Sequence, residues 1–172
     1  MTSIRAATVE DAQEIAALVN SCYRGDSSRA GWTTEADLLG GTRTDKDDIT
    51  RLMTADDSAF LLLIEHDEII GSVHIQKEGS SCYLGMLVVK PALQGGGIGR
   101  KVMQAAEDYA RNTWHSEKMT MTVFTVRAEL VAYYERRGYR RTGEFKPFVS
   151  YGVNGVAKVD GLEFEVLEKP LA

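Results

Sequence analysis

Cysteine, histidine and long apolar runs are all scarce in this 172-residue chain, and each scarcity removes a class of function. Cysteine occurs only at Cys22 and Cys82, in unrelated contexts. Two isolated thiols give neither a disulfide framework nor a thiolate metal site, so each reads as a small buried or half-buried side chain. The three histidines, His66, His74 and His115, show no ligand spacing such as His-x-x-x-His, and no structural or catalytic metal is expected. The longest uninterrupted apolar run is Ala59 to Ile64, far below the roughly 20 residues that span a bilayer. The N-terminus also lacks the basic-then-apolar pattern of a secretion signal. A cytoplasmic protein without a membrane partner is the expectation.

Apolar residues make up 44% of the sequence, enough at this length for one compact domain, 1–172, with a sizeable core. The formal charge of −5 is uneven: residues 1–80 carry 7 basic and 15 acidic side chains, residues 81–172 carry 13 and 10. No dense basic face follows from this, so nucleic acid is not an expected partner. A basic half beside an acidic one suits an anionic cofactor with a cationic acceptor, and it is equally what an accidental surface distribution would give.

Local patterns set out the elements. Ile4–Ala7 reads as a strand, and Thr8 followed by Glu10, Asp11 and Glu14 reads as a helix start running to about Cys22. Trp32–Leu39 reads as a short helix stopped by Gly40-Gly41, and Lys46–Met53 as another. Ala59–Glu65 and Ile69–Lys77 form a hairpin leading to a strand over Ser81–Val89. A helix from Gly97 to Asn112 places Ile98, Val102, Ala105, Ala106 and Tyr109 on one stripe, with Glu107 among the polar residues elsewhere. A strand over Met119–Val126, a helix over Ala128–Arg137 ended by Gly138, and a strand from Tyr139 follow. Lys146–Gly161 reads as a loop and Leu162–Leu167 as the last strand. Hairpin-ordered strands followed by strands alternating with helices give a mixed α/β sheet.

The most informative stretch is Tyr83 to Arg100. An apolar strand enters a proline-marked turn at Pro91, then a run containing Gly95, Gly96, Gly97 and Gly99, then an amphipathic helix. Glycines let backbone approach a ligand, and the free N–H groups at a helix start suit an anion. An ordinary strand-to-helix connection is the plainer alternative. The dinucleotide fingerprint Gly-x-Gly-x-x-Gly fails in both frames, because it would need glycine at Arg100 or at Val102. The Walker pattern fails because Gly99 is followed by Arg100 and Lys101. What fits is Gln-x-x-Gly-x-Gly, filled by Gln94, Gly97 and Gly99, after a strand end with Leu87 and Val89. This resembles the acetyl-CoA-binding signature of the Gcn5-related N-acetyltransferase (GNAT) superfamily. A second segment, Arg127 to Tyr139, is similar to that superfamily's other signature, a helix ending in Tyr-Glu-(basic)-x-Gly-(aromatic). The resemblance covers about residues 59–145.

The resemblance implies an α/β (α+β) fold with a mostly antiparallel central sheet of six to seven strands, flanked by helices and splayed in the middle to hold acetyl-CoA. It implies an N-acetyltransferase that moves an acetyl group to a primary amine by direct attack in a ternary complex. The cofactor would be held by Leu87, Val88, Val89, Gln94, Gly95, Gly96, Gly97, Ile98, Gly99 and Arg100, with backbone groups of Leu87 and Val89 pairing with the pantetheine arm and an N–H near Val88 facing the thioester oxygen. Tyr134 would give the proton to the departing thiolate, a phenol and a thiol being of comparable basicity; an aromatic packed at a helix end is the other reading. Arg127 stands where many relatives carry Asn, and a cofactor phosphate, an acceptor carboxylate or a surface ion pair all suit it. Trp32, Glu35 and Glu78 are the acceptor-site candidates, beside Tyr23, Arg24, Thr33 and Arg43, while the base is open among Glu35, Glu65, His74, Glu78 and Tyr83. Tyr133 is expected in the core. The acceptor is a small-molecule amine or a peptide, and a homodimer stays open. The competing classes are a non-catalytic acyl-CoA-binding or sensing domain and, weakened by the failed glycine frames, a nicotinamide or nucleotide enzyme.

Overall fold

The computed structural model describes residues 2–23, 39–40, 43–148, 156–157 and 161–171. Strand β1 (Thr2–Ala6) passes through one 3-10 turn at Val9–Asp11 into helix α1 (Ala12–Tyr23). Asp11 fixes that entry. Its carboxylate accepts the Thr8 N–H at 2.8 Å and both terminal nitrogens of Arg5 at 2.8 and 2.9 Å, and the Arg5 hydrogen bonds hold its pKa down at about 2.

Then come β2 (Leu39–Gly40), α2 (Lys46–Thr54), β3 (Ser58–Glu65), β4 (Glu68–Glu78), β5 (Ser81–Val89), α3 (Ile98–Asn112), β6 (Lys118–Phe124), α4 (Ala128–Arg136), β7 (Arg140–Pro147), β8 (Val156–Ala157) and β9 (Glu163–Pro170). The main sheet has seven strands in the order β1-β3-β4-β5-β6-β9-β7. All its neighbours are antiparallel except β5 and β6. The mixed, mostly antiparallel sheet expected from the sequence is therefore present, flanked by helices on both faces.

Two stretches differ from the sequence reading. Of the helix expected over Trp32–Leu39, only Leu39 falls within the described residues, and it belongs to β2. Inside the expected loop Lys146–Gly161, Lys146 and Pro147 extend β7, and Val156–Ala157 pairs with Leu39–Gly40. That pairing joins residues more than a hundred positions apart, which local patterning does not carry.

Strand alternation sends side chains to two cores. Leu61, Leu63, Val73, Ile75, Leu84, Met119, Met121 and Leu167 pack with α3 and α4 on one face. Phe60, Leu62, Ile69 and Val88 pack with α1 and α2 on the other. Gly71 lets α3 come close to the sheet, since a Cβ there would stand 2.9 Å from Val102 Cγ2 and 3.3 Å from the Val88 carbonyl.

One polar residue departs from its expected place. Glu107 of α3, read as facing away from the core, is only 3% exposed. It is compensated from distant elements: Tyr139 Oη donates to it at 3.0 Å and Lys169 Nζ at 2.8 Å. Burial, and then the Glu107 carboxylate, push the Tyr139 phenol far above its ordinary range. Breaking a buried ion pair from one side costs about 3 to 5 kcal/mol because the survivor keeps its desolvation. Lys169 is partly exposed, so Lys169→Met should cost near the lower end, about 3 kcal/mol, read as a lower urea midpoint with unchanged slope. A change within about 0.5 kcal/mol would show that solvent already carries the Glu107 charge.

Candidate active site

The site begins where the sheet stops being continuous. β5 and β6 pair only at Ser81↔Lys118, Cys82↔Met119 and Tyr83↔Thr120. Beyond Tyr83 the two strands part, and a side-chain bond marks the apex, Tyr83 Oη lying 3.1 Å from Thr122 Oγ1. The Tyr83 ring lies over Gly85, where an added Cβ would meet ring Cε1 at 2.9 Å. β5 also bulges: its partnering with β4 passes from His74↔Gly85 to Ser72↔Val88, one residue longer on β5, and Met86 takes a left-handed φ of 49°. A bulge adds local twist and re-aims the strand that carries it.

Register decides which backbone groups face the gap. Lys90 N–H donates to the Ile70 carbonyl at 2.9 Å, so Val88 pairs with Ser72 through hydrogen bonds to β4. The carbonyls of Leu87 and Val89, and the Val89 N–H, consequently point away from β4 into the gap. The N–H of Val88 itself is turned toward β4, which leaves the adjacent Val89 N–H as the donor on the gap side. Both gap-side carbonyls have partners: Tyr23 Oη donates to Leu87 at 2.7 Å, and Cys22 Sγ and Gln94 Nε2 each donate to Val89 at 3.1 Å.

After one 3-10 turn at Pro91–Leu93, Gln94 ties the loop back to the strand end. Gly95 and Gly97 then take φ of 92° and 81°, with open space where a Cβ would stand, so backbone conformation and not crowding requires glycine. Gly97 is the N-cap of α3 and offers no side-chain cap, and the first turn holds no acid. By contrast α2 is capped by Asp45, which accepts the Asp48 N–H at 2.7 Å. The N-terminus of α3 is thus left with its dipole and donors uncompensated by side chains, an arrangement that can hold an anion.

The opposite wall is α4. Leu130, Tyr133, Tyr134 and Arg137 face Leu87, Val88, Val89, Gln94, Gly95, Gly97 and Gly99 across a cleft of about 610 Å³, its open mouth included. Tyr134 is 8% exposed and meets Tyr133 and Tyr139 edge-on, at 5.4 and 6.1 Å between ring centroids. The Arg137 guanidinium stacks over the Tyr133 ring at 4.1 Å. Tyr133, expected in the core, packs against it half-buried and also lines the cleft. The signal was available: 130, 133, 134 and 137 follow the i, i+3, i+4, i+7 spacing of one helix face.

The remaining site residues are dispersed. Gly96, Ile98 and Arg100 belong to the same turn without lining the cleft, Ile98 packing on the core and Arg100 lying exposed. Arg127 stands at the N-cap of α4 and does not line the cleft. Trp32 and Glu35 lie outside the described residues, as do Arg24 and Thr33. Glu78 is exposed and pairs with Ser81 at the start of β5, so it stands on the order of 20 Å from Leu87 along the strand. Glu65 pairs with Thr2 at the end of β3. Among the described residues no group of three or more His, Cys, Asp or Glu side chains is placed to hold a metal, and no helix is long and apolar enough to cross a membrane.

Comparison with known proteins agrees with this geometry. The family model for the acetyltransferase (GNAT) domain matches residues 35–156. No curated protein matches the chain. Among solved structures, an N-acetyltransferase from Staphylococcus aureus Mu50 superposes with a TM-score of 0.74 at 15% identity, over 99% of this chain and 98% of that one. A Salmonella typhimurium protein, yncA, assigned as an acetyltransferase and solved with its cofactor acetyl-CoA, gives 0.72 at 19% identity, over 99% and 94%. A chimera of the spermidine N-acetyltransferase SpeG from Vibrio cholerae and hSSAT gives 0.70 at 15% identity, over 99% and 95%.

His74 is the base candidate whose protonation the structure bears on. Its Nε2 lies 2.8 Å from Ser58 Oγ, its ring lies 4.9 Å from that of Phe60, and it is 4% exposed. Burial, and then the charge of Arg43, lower its pKa to about 4. The folded chain keeps His74 neutral at pH values where the unfolded chain takes up a proton. Stability from this group is therefore complete above about pH 6.5 and lost as pH falls toward 4, by up to about 3 kcal/mol. The His74 ring resonances should titrate near pH 4, and a midpoint at or above about 6 would mean that the ring is solvated.

Proposed function

Since the chain belongs to the GNAT acetyltransferase family, we propose that it moves an acetyl group from acetyl-CoA to a primary amine by direct attack in a ternary complex. The observation that carries this reading is the gap between β5 and β6. It has backbone donors and acceptors along one edge, the uncapped start of α3 at one end, and Tyr134 in the opposite wall. Structural neighbours named for N-acetylation support an amine as the acceptor, and the one solved with acetyl-CoA supports the donor.

The residues fit that donor. The N–H groups from Gly95 to Gly99 would take its pyrophosphate, with Arg100 adding charge nearby. The gap edge of β5 would pair with the amides of the pantetheine arm as an added strand does. When bound, the donor supplies an activated acyl group. The chain's own work is to exclude water from the gap, to place the Val89 N–H where negative charge develops on the acyl oxygen, and to return a proton to the sulfur. Tyr134 would deliver that proton, which balances the one lost by the amine on forming the amide. With Glu78 distant and His74 buried at a low pKa, the attacking amine would lose its proton to water, to Tyr83 at the apex of the gap or to a residue outside the described set.

Free-thiol release across a panel of amines tests the activity. A donor-binding domain without an acceptor site would bind CoA yet release no thiol above hydrolysis. Tyr134→Phe should lower kcat by about 100-fold or more, with CoA affinity changed by less than about 2-fold. An unchanged kcat would remove Tyr134 from the chemistry and leave it a packing role.

A further inference from the structure

The last turn of α1 sits on backbone that the donor reading assigns to the donor. Tyr23 Oη occupies the Leu87 carbonyl at 2.7 Å, and Cys22 Sγ shares the Val89 carbonyl with Gln94 Nε2. A carbonyl oxygen has two lone pairs. At Val89 both are already engaged, one by a thiol, the weakest of these donors. A ligand amide reaching the same edge has to displace a partner at Val89, and at the neighbouring Leu87 it either shares an oxygen that the phenol already holds or replaces the phenol there.

The same turn also holds the chain that returns to it. Asn20 Nδ2 donates to the Thr44 carbonyl at 2.9 Å, and Asn20 Oδ1 accepts the N–H groups of Arg43 and Thr44 at 2.7 and 3.1 Å. One helical turn therefore joins the gap edge of β5 to Arg43 and Thr44, just ahead of α2.

We propose that Tyr23, assisted by Cys22, is an internal competitor for the donor edge of β5: it holds the Leu87 carbonyl in the free protein and surrenders it when the acyl donor enters. Tyr23 is on this account a positioning residue. Donor entry and the setting of the end of α1 become one coupled event, because a ligand shifts a conformation only by its differential affinity for the two arrangements. The inference rests on the acetyl-CoA reading and adds to it a cost that the chain imposes on donor binding.

Titration calorimetry with CoA on the intact wild-type chain and on Tyr23→Phe separates the possibilities. Removing the hydroxyl removes the competitor, so CoA should bind the variant about 2- to 10-fold more tightly, the range that one net hydrogen bond spans. A merely structural role would leave affinity unchanged or weaken it, and either result overturns the proposal while the donor reading stands. Failure of the wild type to bind CoA would overturn both. Amide hydrogen exchange gives a second readout: saturating CoA should speed exchange in the last turn of α1 in the wild type, with a smaller change in Tyr23→Phe. No CoA-dependent change in the wild type would equally refute the exchange of partners.

Discussion

A sheet is held by the rule that every backbone donor and acceptor in its interior finds a partner, and here that rule is suspended in the middle of the molecule. β5 and β6 are parallel neighbours for three residue pairs and then separate, exposing backbone in a place where a sheet would ordinarily be sealed. Other features answer to that opening. The bulge at Met86 aims the strand, the Tyr83–Thr122 bond fixes where separation begins, and Gly85 gives the Tyr83 ring its room. An open seam would be costly if left dry and unpartnered. The chain meets this with partners that can be exchanged, side chains of α1 and Gln94, and not with another strand.

The helices serve the gap differently because their ends are treated differently. α2 begins with an aspartate cap and acids in its first turn, so its N-terminus is electrically finished. α3 begins with glycine and no acid, and its dipole faces the cleft. α4 contributes a face and not an end: its aromatic rings and the stacked Arg137 form a wall held by Tyr139, Glu107 and Lys169 behind it. Rigidity behind the wall and an unfinished helix in front of it are two halves of one design, since a ligand charge is held best by dipoles that do not have to move.

How much of this was legible in the residues depended on range. Strands β3 to β6 and helices α3 and α4 stood out because alternation and 3.6-residue periodicity are local. The turn from Gln94 to Gly99 was readable because glycine at Gly95 and Gly97 is a backbone requirement, written in residue type. The burial of Glu107, by contrast, depends on Lys169 and Tyr139, and the pairing of Leu39–Gly40 with Val156–Ala157 depends on nearly the whole chain between them. The carbonyls of Leu87 and Val89 looked available because a sequence shows which groups a strand possesses and not which side chain from another element has reached them. Glu78 looked near the site for a similar reason: residues close in sequence can sit at opposite ends of a hairpin.

The sheet order β5-β6-β9-β7 places β9 inside the sheet, although it follows β7 in the chain. Among the described residues β7 reaches the sheet only through β9, to which it is bound by backbone pairing and by Arg140–Glu168 and Arg141–Glu165. During synthesis, therefore, β7 emerges with no place to dock, and β6 waits with an open edge until residues 163–170 arrive to fill it. Assembly of this half of the protein is a single late event in which one strand brings in another.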